Sequence, residues 1–146
     1  MSRSVKKISN CTNMKLRKAT RLVTQAYDTE MQGAGIKSTQ FTLLATLKVM
    51  GNPAITKLAE MMVMDRTTLS RNIKPLINKG LVTNVSDEDQ RVKQICLTAE
   101  GEALLSEGMP HWQKIQDSIV QRLGEQRWDQ FLTDLEVVIE VMKPGS

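Results

Sequence analysis

One stretch of the chain gathers hydrogen-bond donors at helical spacing: Asp65-Arg-Thr-Thr-Leu-Ser-Arg, followed by Asn-Ile-Lys-Pro-Leu-Ile. Wound as a helix, it places Leu69, Ile73, Leu76 and Ile77 on one face. Arg66, Thr67, Ser70, Arg71 and Lys74 fall on the other, with Thr68 near the N-terminal end and no acid after Asp65. The chemistry this supports is recognition rather than catalysis. An arginine can grip guanine with two hydrogen bonds, and a serine or threonine can bond either base or meet a thymine methyl. Helix-start amides and short hydroxyls also hold phosphate. Taken alone, an ordinary solvated amphipathic helix would account for the stretch equally well; its surroundings weight the reading toward nucleic acid.

Those surroundings begin with a short helix expected over 56–62, a tight connection at Val63-Met64, and Asp65 as the cap of a second helix running to about Lys79, where Gly80 stops it. This is the spacing of a helix-turn-helix, whose second helix presents its first residues to base edges in the major groove. Leu81-Val-Thr-Asn-Val alternates like a strand, Ser86 to Gln90 is a polar turn, and Arg91-Val-Lys-Gln-Ile-Cys-Leu97 alternates back. A hairpin directly behind a helix-turn-helix is a wing. Arg91 at its tip suits the negative potential of a narrow minor groove, Asp87 would orient that arginine by a charge-assisted bond, and Lys93 adds a cation to the returning strand. Pro75, inside the second helix, costs roughly 3 kcal/mol when uncompensated. Its bend either fits the helix to the groove or marks packing against the hairpin.

The flanks read as supporting helices. Residues 1–12 form a loose basic arm. Leu16, Ala19, Val23, Tyr27 and Met31 give a helix over 13–32 that Gly33 and Gly35 end. Ser38 is the expected N-cap of a helix through Met50, closed by Gly51-Asn52-Pro53. Thr98-Ala-Glu-Gly opens a helix carrying Leu104, Leu105, Trp112, Ile115, Ile119 and Leu123, which Pro110 should kink. A last amphipathic helix spans 125–142.

Composition bounds what the molecule can be. The 146 residues suit one domain, and an apolar content of 40% with aromatics at only 3% suits packed helices. The nine methionines are expected as filler at helix interfaces. No apolar run approaches the ~20 residues a bilayer needs, and the start lacks a signal-peptide core, so no membrane association and a cytoplasmic location are expected. Cys11 and Cys96 form no disulfide framework. The net charge of +4 conceals a gradient: residues 1–37 carry eight Lys/Arg against two acids, residues 38–97 eight against five, and residues 98–146 four against nine. One anion-facing side follows, although an ordinary solvated surface would explain the charge alone. No phosphate loop, paired acids or nucleophile elbow is present, and the single histidine, His111, has no zinc-like cysteine spacing around it. Neither an enzyme, a metal site nor a cofactor is expected.

The segments Leu58-Ala59, Asp65 to Arg71, Leu76, Lys79-Gly-Leu-Val, Asp87 to Arg91 and Leu97-Thr-Ala-Glu-Gly101 resemble the MarR family of bacterial winged-helix regulators. The wing pattern of acid and arginine followed by Leu-Thr-x-x-Gly is the specific part, and the order of flanking helices extends the resemblance over nearly the whole chain. It implies a mainly α fold with a small β-hairpin wing, as a single MarR-like domain over 1–146. Within it, 38–97 is the DNA-binding winged helix-turn-helix, and the helices of 1–37 and 98–146 form a dimerisation region. It also implies a homodimer on pseudo-palindromic double-stranded DNA. Such a dimer acts as a repressor released by a small lipophilic or phenolic effector held between the two parts.

The resemblance leaves a second mode of control open. Organic hydroperoxide sensors of this family use a cysteine near the start of their first helix, and Cys11 lies before a predicted helix near Lys15, Arg17 and Lys18. Those sensors surround the thiol with more than one tyrosine, whereas Tyr27 alone is available here. Cys96 is expected at an inward position of the second wing strand. A winged helix used only to bind proteins is a third reading, disfavoured because such interfaces prefer apolar anchors.

Overall fold

A computed structural model describes residues 3–86 and 93–145. In chain order the elements are α1 (Arg3–Ile8), α2 (Thr12–Met31), a 3₁₀ turn (Gln32–Ala34), α3 (Ser38–Met50), α4 (Ile55–Met62), α5 (Arg66–Asn78), β1 (Val82–Ser86), β2 (Lys93–Leu97), α6 (Ala99–Leu123) and α7 (Glu125–Met142). The fold is mainly helical with one antiparallel hairpin in which Val82 faces Leu97 and Ser86 faces Lys93.

The buried core is concentrated between Phe41 and Ile95. Leu44, Leu58, Leu69 and Leu76 are fully buried, with Phe41, Leu47, Ile73, Val82 and Ile95 nearly so. Each such side chain contributes roughly 1.5–3 kcal/mol by leaving water. Met31 from α2, Ile36 behind it and Leu105 from α6 close this core from the flanks. The terminal helices behave differently. None of the residues of α7 is buried, and Phe131, Leu132, Val137, Ile139, Val141 and Met142 stay exposed.

Three details position α5. Val63 turns the chain between α4 and α5 in the left-handed region (φ 52°, ψ 48°), a costly conformation for a β-branched residue. The turn is closed by the Met64 amide on the Ala59 carbonyl at 2.9 Å. Asp65 then caps α5 as expected, accepting from the Thr68 amide at 2.7 Å and the Thr68 hydroxyl at 2.8 Å. These bonds hold its carboxyl below the ordinary range, the Thr68 amide being the largest cause. Because the folded value is depressed, the stabilisation is present above the unfolded pKa near 3.8 and is lost as pH falls through the folded value. Asp65→Ala should therefore melt earlier than wild type at neutral pH, with Asp65→Asn close to wild type because asparagine caps comparably well. The gap between wild type and Asp65→Ala should narrow below pH ~3.8 in a thermal scan.

The hairpin is pinned at its base. The Ile95 amide donates to the Pro53 carbonyl at 2.9 Å, and Ala54 bridges Gln94, so the loop before α4 adds a short third rung to the sheet. On the far side Thr98 caps α6 by accepting from the Gly101 amide at 3.0 Å, while its own hydroxyl donates to the Gly80 carbonyl at 2.6 Å.

Four expectations change. Residues 1–12 are not wholly a loose arm, because Val5 and Ile8 lie one turn apart within the helix α1. Ser38 is the first helical residue of α3 and not its cap; its amide is satisfied by Asp28 from α2 at 2.8 Å. Cys96 is half-buried on the other side of the strand from Ile95, which takes the inward position at 1% exposure. The methionines are only partly filler, since Met61, Met109 and Met142 are exposed. Pro75 and Pro110 both lie inside continuous helices.

Candidate nucleic-acid interface

On α5 the division of faces follows the sequence. Leu69, Ile73 and Leu76 are buried and Ile77 is half-buried, whereas Arg66, Thr67, Thr68, Ser70, Arg71 and Lys74 are exposed. The Thr68 amide and hydroxyl hydrogen are both committed to Asp65, so Thr68 offers outward only its methyl and its acceptor capacity. Lys93 is exposed at the start of β2. Asp87 and Arg91, the expected pair at the wing tip, lie outside the described residues.

Beside α5 lies a cleft of about 560 Å³ lined by residues of α2, α3, α4, α5 and α6. Its apolar walls include Met31, Phe41, Met62 and Trp112, and its polar rim includes Lys37, Arg71 and Asn72. Tyr27 lines it too, with its hydroxyl donating to Gln116 at 2.6 Å, and burial pushes that phenol's pKa up. Asn72 was not singled out in the sequence. Its amide reaches the Met64 thioether at 3.6 Å and ties the turn to α5. No signal in the sequence marks that pair, because Met64 lies before the cap and Asn72 two turns beyond it.

A polar cluster joins α2 to α6 near the upper end of the cleft. Glu30 accepts from Lys114 at 3.1 Å and contacts His111 Nδ1 at 3.2 Å. Lys114 first, then His111, keeps the Glu30 carboxyl below its ordinary pKa. Gly33 leaves room for that imidazole; a Cβ there would stand 2.9 Å from His111 Cε1.

Cys11 is exposed, at the N-cap position of α2. Tyr27 is not beside it. Both lie along one helix sixteen residues apart, about 24 Å at 1.5 Å per residue, and the tyrosine hydroxyl is engaged with Gln116. Tyr27 therefore cannot serve this thiol within one chain. Among the described residues, no helix is long and apolar enough to cross a membrane.

A hairpin braced against a helix-turn-helix, with a donor-rich face on its second helix, defines a winged helix-turn-helix protein. The MarR family profile matches residues 36–93. The transcriptional regulator MosR of M. tuberculosis, solved in complex with DNA, is 31% identical; the match covers 91% of this chain and 98% of that one, with a TM-score of 0.80. This chain belongs to the MarR family. The same fold occurs in a probable transcriptional regulator from Pseudomonas aeruginosa (22% identity, 90% and 98% coverage, TM-score 0.81). It occurs also in BpsR of Bordetella bronchiseptica (20% identity, 86% and 96% coverage, TM-score 0.77). Comparison with curated protein sequences finds no match.

Proposed function

We propose that this chain is a homodimeric transcriptional repressor of a pseudo-palindromic operator, with α5 in the major groove of each half-site. Arg66, Thr67, Ser70, Arg71 and Lys74 face the bases and phosphates, Thr68 contributes its methyl, and Lys93 with Arg91, oriented by Asp87, holds the adjacent duplex. The observation that carries this reading is the acid-free, exposed face of α5 set on a buried apolar one. MosR, the relative at 31% identity, was solved on DNA, which supports the same partner here.

The dimer follows from the terminal helices. A helix of eighteen residues with no buried side chain and six exposed large apolar ones does not bury its own stripe. A second copy applied to α7 and to the exposed Val5, Ile8, Leu22 and Val23 would cover it. Residues 38–97 then act as the reading part, 1–37 and 98–146 as the dimerisation part, and the cleft between them takes a small lipophilic or phenolic effector. The DNA binding of BpsR is regulated by 6-hydroxynicotinic acid, a precedent for control of this kind.

The test is a titration of the gene's upstream DNA at several salt concentrations. Six to ten phosphate contacts would reduce affinity by about 10³–10⁵ between 50 and 200 mM salt. A monomeric protein, or one that prefers no promoter fragment to random duplex, is the result that overturns the reading. Peroxide and salicylate-like compounds added to the same complex separate the two modes of control. Release by peroxide alone, abolished in Cys11→Ser, would move control from the cleft to the thiol.

A further inference from the structure

We infer that Lys143, just past the end of α7, is a phosphate contact: its ammonium reaches the duplex backbone beside the first turn of α5. The inference rests on the operator-binding reading above and adds to it a contact from outside the winged helix-turn-helix.

Topology brings it there. α6 starts at the hairpin, where Gly101 lies against Leu81, and after Gly124 the chain turns back so that α7 packs on α6. The residues that follow α7 thereby return to the winged part. Lys143 and Pro144 line one side of a groove of about 570 Å³; Ala59, Glu60, Val63 and Met64, at the end of α4 and in the turn to α5, line the rest. Met64 is one residue before the Asp65 cap and two before Arg66, where α5 begins. A helix fills most of a major groove ~12 Å wide, so phosphates run along both flanks of its first turn. A cation across one groove from that turn meets the backbone, which carries charge but no sequence information.

Conformation and charge agree with this placement. A residue before proline is pushed out of the helical region, and Lys143 is extended at φ −61°, ψ 137°. Its side chain therefore leaves the helical array of α7 and the apolar stripe that a second copy would cover. Within α7 five acids stand against one cation, Arg127, so Lys143 ends an acidic element with a positive charge where it nears an anionic partner. The acids beside the groove are each offset by a lysine: Glu140 by Lys143 at 2.6 Å, and Glu60 by Lys57 at 3.6 Å. The Lys143 side chain stays 43% exposed. An ion pair as open as Lys143–Glu140 stabilises little and exchanges readily. A phosphate is the better partner, because the contact also releases counterions condensed on the duplex.

The test is fluorescence anisotropy of the full-length protein on the promoter fragment and on random duplex, from about 50 to 200 mM salt. Lys143→Met keeps the stem and removes the charge. It should weaken binding to both duplexes by one common factor, about twofold to thirtyfold for the two contacts of a dimer. The slope of log affinity against log salt should become shallower by about 1.8, which loss of a packing role alone would not cause. Lys143→Arg should restore affinity and slope, and sedimentation should show the same dimer in all three proteins. Unchanged affinity and slope, a loss confined to the promoter fragment, failure of Lys143→Arg to restore, or loss of the dimer in Lys143→Met overturns the proposal. Wild-type protein that binds neither duplex overturns the operator-binding reading with it. Wild-type protein that binds with a steep salt dependence, matched in full by Lys143→Met, leaves that reading standing and removes Lys143 alone.

Discussion

Gly101→Ala is expected to destabilise the protein by about 3 kcal/mol or more, beyond the usual 1–3 kcal/mol for an added methyl in a packed interior. Gly101 is buried in the first turn of α6, and a Cβ there would overlap the Leu81 carbonyl oxygen and stand 2.9 Å from Leu97 Cδ1. The obstacle is backbone, so no rotamer change relieves it. The Leu81 carbonyl is held in place by the Thr98 amide at 3.1 Å, and the Thr98 hydroxyl is bonded to the neighbouring Gly80 carbonyl. Moving any one of them loosens the others. For a chain of this size the loss corresponds to a melting temperature lower by about 6–12 °C. Gly108→Ala makes the comparison, since its Cβ would stand 2.7 Å from the Phe41 ring, a side chain able to shift. The variant at 108 should lose less than the variant at 101. A thermal scan in which the two lose equally would show that the hairpin–α6 junction gives way more easily than its bonding implies.

Arg71→Ala is expected to weaken operator binding by about 1–3 kcal/mol per half-site and to relax preference at the base pair it reads. In a symmetric dimer both half-sites lose the contact, so the combined loss is about 2–6 kcal/mol, or roughly 30-fold to more than 10⁴-fold. Lys114→Ala is the control. Lys114 is an exposed cation on α6 paired with Glu30 at 3.1 Å, away from the reading face, and its loss should change operator affinity little. Anisotropy titrations against the operator and a scrambled duplex give both numbers. Equal losses for the two variants would mean that net charge, not the α5 face, supplies the affinity.

Much of the winged helix-turn-helix was legible in the sequence because its signals are local. Asp65 and Thr98 cap helices through bonds that span three residues, so a cap and its partner appear side by side in the chain. The buried face of α5 follows from helical period alone, and α7 falls on its expected bounds for the same reason. Failures came where a distant element decides. The amide at the start of α3 is satisfied by Asp28, ten residues earlier on another helix, so a serine in the right place looked like the cap. Cys96 read as inward until pairing fixed Ile95 as the residue facing the core. Tyr27 looked available to Cys11 only while α2 was a stretch of sequence and not a rigid rod. The cleft was expected from resemblance, but its lining was hidden, because it draws on five helices whose residues share no sequence pattern.

The short rung that Pro53 and Ala54 add to the hairpin has a bearing on solubility. A two-stranded ribbon presents two open edges, each a template on which an extended segment of another molecule can stack. Here the β2 edge is occupied at Gln94 and Ile95 by the protein's own loop, and a proline supplies the carbonyl there while having no amide of its own to offer. Opening that loop would free the Ile95 amide on a strand whose next apolar neighbour is Leu97. Variants that shorten or loosen residues 51–54 should therefore show themselves first as precipitation on concentration, before any loss of helical signal.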